Sequence, residues 1–251
     1  MTSDIVDLPG KERVAGAIGA PGNPGGNVQA ETDKQTLLSR AAARGMGWGI
    51  ATFARLLTAV QPEWRGIEPA SDKRRIYYVN HVSHGDFVLL WSVLPLRERY
   101  STRPVAGADY WRRDRLRRFI GERVFNSVLI ERAPQGRNGS DPIAQMAEAL
   151  DGGASLIIFP EGTRNLGDEA LLAFKSGIVR VAQARPGVEL VPVWIDNLNR
   201  VLPKGALIPV PLMCKVIFGA PLQLAPDEDK TAFLDRAREA LLALRPRTER
   251  D

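Results

Sequence analysis

The chain has 251 residues, 44% hydrophobic and 25% charged, with 34 Lys and Arg against 29 Asp and Glu, a net charge of +5, two histidines and one cysteine. That length fits one sizeable domain with a buried core. One cysteine excludes an internal disulfide and any zinc ribbon or iron–sulfur cluster on four thiolates, and two histidines exclude a multi-histidine zinc site. The charge is concentrated: residues 35–96 carry seven basic and four acidic side chains, and residues 97–123 nine and four. Such a field attracts an anionic partner, whether nucleic acid, phospholipid headgroups or an acidic carrier.

Residues 1–33, rich in Gly and Pro, read as a flexible tail. Their uncharged run Val14–Ala30 is too broken by Gly and Pro to be the span of roughly 20 apolar residues that crosses a bilayer. The N-terminus has no apolar secretory core, so a cytoplasmic chain is expected. Residues 34–61 predict an amphipathic helix. With Arg40 set at zero and about 100° per residue, Arg44 and Arg55 fall at about 40° and 60°. Leu38, Ala42, Met46, Ile50, Phe53, Leu56, Leu57 and Val60 fall between about 160° and 280°. A basic helix of this kind suits an anionic membrane interface, and an ordinary helix packed on the core is the alternative.

Residues 62–251 read as one domain. In chain order, strands are expected at 76–80, 103–107, 127–130, 155–159, 189–195 and 213–218. Helices are expected at 86–94, 110–122, 141–150, 173–184 and 231–244, the third opened by Asp141-Pro142 as cap and first residue. The alternation predicts an α/β fold: a three-layer domain with a mostly parallel or mixed central sheet flanked by helices, preceded by the amphipathic helix.

Both histidines lie in Asn80-His81-Val82-Ser83-His84-Gly85-Asp86, between a strand and a helix, where α/β proteins place ligand sites. On a regular helix His81 and Asp86 would point about 140° apart. A turn at Ser83–Gly85 ahead of the helix would instead return the carboxylate to the imidazole, giving a base oriented by an acid. Taken alone, the pair reads rather as a turn with a capping aspartate and incidental histidines. His81, His84 and Asp86 lack the further ligands of a metallo-hydrolase, GxSxG is absent, and so is GxxxxGK[ST]. A second constellation, Phe159-Pro160-Glu161-Gly162-Thr163-Arg164, follows a buried strand. Gly162 permits a tight turn and Arg164 offers a planar fork for phosphate or carboxylate. Arg132 leaves another strand end and Lys175 stands near a helix start. If those strands are neighbours, cations and a His–Asp pair gather at one sheet edge.

Asn80-His81-x4-Asp86, then Arg132, then Phe159-Pro160-Glu161-Gly162-Thr163-Arg164, then Val191-Pro192-Val193, in that order, resemble the four blocks of the glycerolipid acyltransferase family, whose best-known members are the 1-acylglycerol-3-phosphate acyltransferases. Phe174-Lys175-x-Gly177 is similar to a further family habit. The resemblance covers about residues 60–220. It implies acyl transfer from a thioester of acyl-carrier protein or coenzyme A, with no bound cofactor or metal. The acceptor it implies is 1-acylglycerol-3-phosphate, giving phosphatidic acid. His81 would be the general base, Asp86 would orient it, and Arg132, Glu161, Gly162, Thr163, Arg164 and Lys175 would bind substrate. An anionic membrane surface, met from the cytoplasmic face as a peripheral protein, would be a partner, and nucleic acid would not. Asn126 stands where the second block often has glycine and Leu129 where it has Phe, which loosens what is implied about acceptor shape. His84, at a position often aromatic in the family, is a rival base. Another lysolipid, such as a lyso-ornithine lipid or lysophospholipid, fits the same blocks. A catalytically silent membrane-surface protein is the alternative of a different class.

Overall fold

A computed structural model describes residues 25–131, 141–198 and 213–246. The chain divides into two compact units, Met1–Ser39 and Arg40–Asp251. The described part of the first is the opening of helix α1, Gly25–Thr58. This helix begins ahead of the tail boundary expected at residue 33, so residues 25–33 are helical.

The second unit is built on a seven-stranded sheet. Its strands are β1 (Gln61–Trp64), β2 (Arg75–Val79), β3 (Thr102–Gly107), β4 (Val128–Ile130), β5 (Ser155–Ile158), β6 (Glu189–Asp196) and β7 (Lys215–Phe218), in the order β1-β7-β6-β2-β5-β3-β4. The five from β6 to β4 run parallel; β7 is antiparallel to β6, and β1 is parallel to β7. Every residue of β2 and of β5 is buried. Strands covered on both faces read as continuous apolar runs, which is why they were expected from sequence. Ile76 and Tyr78 face one core layer with Leu156, Ile158 and Leu190. Tyr77 and Val79 face the other with Ile157, Val191 and Val193. The three-layer α/β expectation therefore holds, with a mixed sheet.

Helices α2 (Asp86–Val93), α3 (Leu96–Ser101), α6 (Pro142–Asp151), α7 (Gly177–Ala184) and α8 (Lys230–Leu242) connect or cover the strands. Asp141 caps α6 as expected, accepting from the Ile143 amide at 3.0 Å. Buried Arg99 closes the apolar helix α2 by donating to the carbonyls of Trp91, Ser92 and Leu94 at 3.1, 2.5 and 3.1 Å.

Three local expectations change. The helix expected at 110–122 is α4 (Ala108–Trp111), α5 (Arg115–Phe119) and a π-turn at Ile120–Val124. Asp114 causes the break by capping a new start, its side chain accepting from the Arg117 amide at 2.8 Å. The helix expected from 173 begins at Gly177. Strand β1 was not expected, because Gln61-Pro62-Glu63-Trp64 is polar and carries a proline, tolerable only on an edge strand. Asn126, at the position often glycine in the resembled family, has φ +48°, a backbone region that Asn tolerates better than most residues.

Helix α1 packs within the second unit through small residues. Ala43, Gly47, Ala51 and Thr58 are buried, all within about 60° of the direction of Arg40 on the wheel. A side chain at Gly47 would begin 3.2 Å from Trp91 and 3.3 Å from Val124. Of the expected apolar face, Ile50, Leu57 and Val60 border the core. Met46, Phe53 and Leu56 remain 37%, 66% and 79% exposed. Among the described residues no helix is long and apolar enough to cross a membrane. Replacing Gly47→Leu should lift α1 from Trp91 and Val124 and destabilise the protein by about 1–3 kcal/mol, read as a lowered midpoint in chemical unfolding.

Candidate active site

The site forms where β2, β5 and β3 end together at the carboxyl edge of the parallel strands. Parallel register pairs Tyr78 with Ile158, so the residues after each strand emerge side by side. Asn80 ends β2 by bonding sideways to β6: its Oδ1 accepts from the Ile195 amide at 2.7 Å and its Nδ2 donates to the Ile195 carbonyl at 3.0 Å. This double bond to a neighbouring strand fixes where His81 leaves the sheet.

The turn after His81 returns Asp86 to the imidazole. Asp86 opens α2 and is fully buried. Its Oδ2 lies 2.8 Å from His81 Nδ1 and accepts from the amides of Val82 and Ser83 at 2.8 and 2.9 Å. A carboxylate accepts only, so the Nδ1 proton is on the ring and the lone pair is at Nε2. Burial pushes the Asp86 carboxyl up, while the His81 ring and the Ser83 and Val82 amides pull it down. The imidazole stacks on Phe159, centroids 4.1 Å apart. Nε2 makes no hydrogen bond among the described residues.

Glu161 ties the second turn to the first. It is 1% exposed; Oε1 accepts from the His81 amide at 2.8 Å and Oε2 from the Leu172 amide at 2.9 Å. Both oxygens serve backbone, so its side chain holds the turns rather than facing the cleft. Burial pushes its carboxyl up against the pull of the two amides. Gly162, with φ +71°, makes the tight turn expected of it. The Lys175 amide donates to Pro160 at 2.7 Å, and the Asn165 amide to the His81 carbonyl at 2.6 Å.

His81, Gly162, Thr163, Arg164 and Lys175 all border one cleft of about 800 Å³. Apolar side chains, among them Ile50, Phe87, Val105, Met146 and Ile178, form its other walls. Arg164 and Lys175 form no ion pair among the described residues, which leaves two cations for an anionic ligand. Arg132 lies outside the described residues. Among those described, no set of three His, Cys, Asp or Glu side chains could hold a metal.

Sequence reasoning gave Asn80, Phe159 and Asn165 no role of their own. Asn80 could have been found as the polar residue ending an apolar strand; the parts played by Phe159 and Asn165 depend on β2 and β5 being neighbours.

Residues 61–196 match the acyltransferase family model. The chain belongs to the acyltransferase family. It is 29% identical over 183 residues to a 1-acyl-sn-glycerol-3-phosphate acyltransferase of Chlamydomonas reinhardtii, covering 71% of this chain and 50% of that protein. It is 30% identical over 139 residues to a chloroplastic 1-acyl-sn-glycerol-3-phosphate acyltransferase of Arabidopsis thaliana, covering 55% and 36%. The chain thus spans about half the length, or less, of these curated relatives. The crystal structure of the 1-acyl-sn-glycerophosphate acyltransferase PlsC from Thermotoga maritima shares its fold, with a TM-score of 0.61 at 22% identity over 81% of this chain and 80% of that one. The resemblance read from the four motif blocks is thereby confirmed at the level of the family.

Replacing Glu161→Gln puts an amide nitrogen where one oxygen now accepts a backbone N–H. The two donors would face each other, at a cost of about 1–3 kcal/mol. Chemical unfolding should show that loss as a lowered midpoint.

Proposed function

We propose that the protein moves a fatty acyl chain from an acyl thioester to the free hydroxyl of 1-acylglycerol-3-phosphate. The observation that carries this reading is the His81–Asp86 contact of 2.8 Å at a cleft that also holds Arg164 and Lys175. Asp86 fixes the tautomer with Nε2 free. Nε2 takes the acceptor hydroxyl proton as the oxygen attacks the thioester carbonyl carbon. The carbon–sulfur bond then breaks, and the departing sulfur receives that proton from Nε2. No acyl group rests on the protein. A positioned base contributes typically about 10²–10⁴ in rate, and holding both substrates together supplies more.

Arg164 and Lys175 supply the charge that draws the acceptor phosphate, and the glycine at 162 lets the turn approach closely. The apolar walls of the cleft suit acyl chains. Relatives whose names specify 1-acyl-sn-glycerol-3-phosphate as acceptor favour this acceptor over another lysolipid. Coenzyme A and acyl-carrier protein are the two candidate carriers of the thioester; both are anionic, and both suit the basic segment 97–123. Incubating the protein with each donor and a panel of lysolipids, read by mass spectrometry, should give phosphatidic acid. His81→Ala should lower that rate by about 10²–10⁴ without lowering the unfolding midpoint. Full activity in His81→Ala would overturn the mechanism.

The exposed apolar face of α1, with Arg40, Arg44 and Arg55 on the same helix, supports docking on an anionic membrane as a peripheral protein. Phe53→Ser with Leu56→Ser should weaken binding to anionic vesicles, read by sedimentation, by at least about tenfold, since each side chain contributes about 1.5–3 kcal/mol when fully buried in an apolar phase and about 1.4 kcal/mol is tenfold. Unchanged sedimentation would exclude this face from the contact.

A further inference from the structure

His84, three residues beyond His81, is the other imidazole of the chain. Its ring lies nearly parallel to that of Tyr110, centroids 5.8 Å apart and planes 10° apart. Arg117 lies 4.8 Å from the centroid of the same Tyr110 ring, and Asp114 holds it at 3.2 Å. His84, Tyr110, Arg117 and Arg164 all border the cleft that contains His81. Neither nitrogen of the His84 ring makes a hydrogen bond among the described residues.

His84 lacks the carboxylate hydrogen bond that orients His81. Oδ2 of Asp86 already accepts from the His81 ring and two amides, and the residue is fully buried. Among the described residues no carboxylate is hydrogen-bonded to His84 to select its tautomer. His84 is thus an imidazole parallel to the Tyr110 ring, in a cleft where Arg164 forms no ion pair among the described residues.

Resting on the reading of this cleft as the acceptor site, we propose that His84 is a second anion ligand beside Arg164 and makes the site prefer a phosphate monoester over a phosphodiester. A monoester presents three terminal oxygens and nearly two negative charges at neutral pH. A diester presents two and one charge. The guanidinium fork of Arg164 can satisfy two oxygens at once. The third oxygen of a monoester then needs another donor, which an N–H of His84 provides. In a diester that position is occupied by the headgroup, which gives His84 nothing to bond. Burial, then the charge of Arg164, lowers the His84 pKa, opposed by Asp86.

Titration calorimetry measures this preference without any turnover. The ligands are a short-chain, monomeric 1-acylglycerol-3-phosphate and its ethanolamine diester. The wild-type protein should bind the monoester more tightly. His84→Phe, which keeps a ring on Tyr110, should reduce that preference about tenfold, the size of one hydrogen bond to a charged group. His84→Gln, which keeps an N–H donor, should recover part of it. No preference in the wild type, an unchanged preference in His84→Phe, or equal weakening of both ligands would overturn the assignment. A protein that binds with the expected preference yet transfers no acyl group would overturn the proposed reaction and leave the role of His84 standing.

Discussion

The candidate site depends on a carboxylate that does not border the cleft. The ladder between β2 and β5 ends at Tyr78 and Ile158, and beyond it the two chains have no regular hydrogen bonds to hold them in step. Glu161 takes over. One oxygen binds the first residue after Asn80, and the other binds Leu172, which belongs to the loop carrying Lys175. A buried carboxylate without a cation nearby is costly, which is why burial raises its pKa; two backbone amides offset that cost and fix its direction. The residues on either side serve this arrangement. Pro160 needs no ladder partner for a missing N–H and offers its carbonyl to Lys175. Gly162 takes φ +71°, where a side chain would begin 3.2 Å from the stem of Lys175. The motif is thus a hinge-free joint between two loops, and Arg164 is positioned as its consequence.

How much of this the amino-acid sequence reveals follows from what each feature depends on. The central strands were legible because burial on both faces leaves no room for polar residues in Ile76–Val79 or Leu156–Ile158. The return of Asp86 to His81 was legible as a possibility, since only a turn could bring them together, and the structure supplies it. Strand β1 was hidden because its stability comes from parallel pairing with β7 and from the stacking of Trp64 on Phe218 at 3.8 Å, neither of which leaves a pattern in four residues. The break at Asp114 was hidden among arginines that favour helix. The backbone bonds of Glu161 were hidden because spacing gives the order of groups along a turn and says nothing of which way each one points.

The same limit explains helix α1. Hydrophobic periodicity located an apolar face correctly, but it carries no information on which face meets the rest of the protein. The helix meets it through Ala43, Gly47 and Ala51, residues too small to weigh in an apolar moment. Close approach at Gly47 places the helix axis near Trp91 and Val124, and the larger side chains are turned outward or to the margin. Arg44, lying 5.9 Å over the ring of Tyr100, borders the same packed side. The helix is therefore divided: a narrow seam of small residues fixes it to the domain, and a separate apolar strip is left without a protein partner among the described residues.

Ile50 stands where these two sides meet. It borders the core with Leu57 and Val60, and it also forms part of the cleft wall that contains His81. One residue of α1 therefore belongs to the cleft that holds His81, while Phe53 and Leu56, one and two turns further along, are exposed. In the proposed reaction both the acceptor and the product carry acyl chains, and moving a chain from an apolar cleft into water costs about 0.8 kcal/mol for each CH₂. A cleft whose wall is continuous with an exposed apolar strip allows such a chain to pass along protein or lipid instead. The small-residue seam makes that continuity possible, because a helix held by bulky side chains would have spent its apolar face on the core.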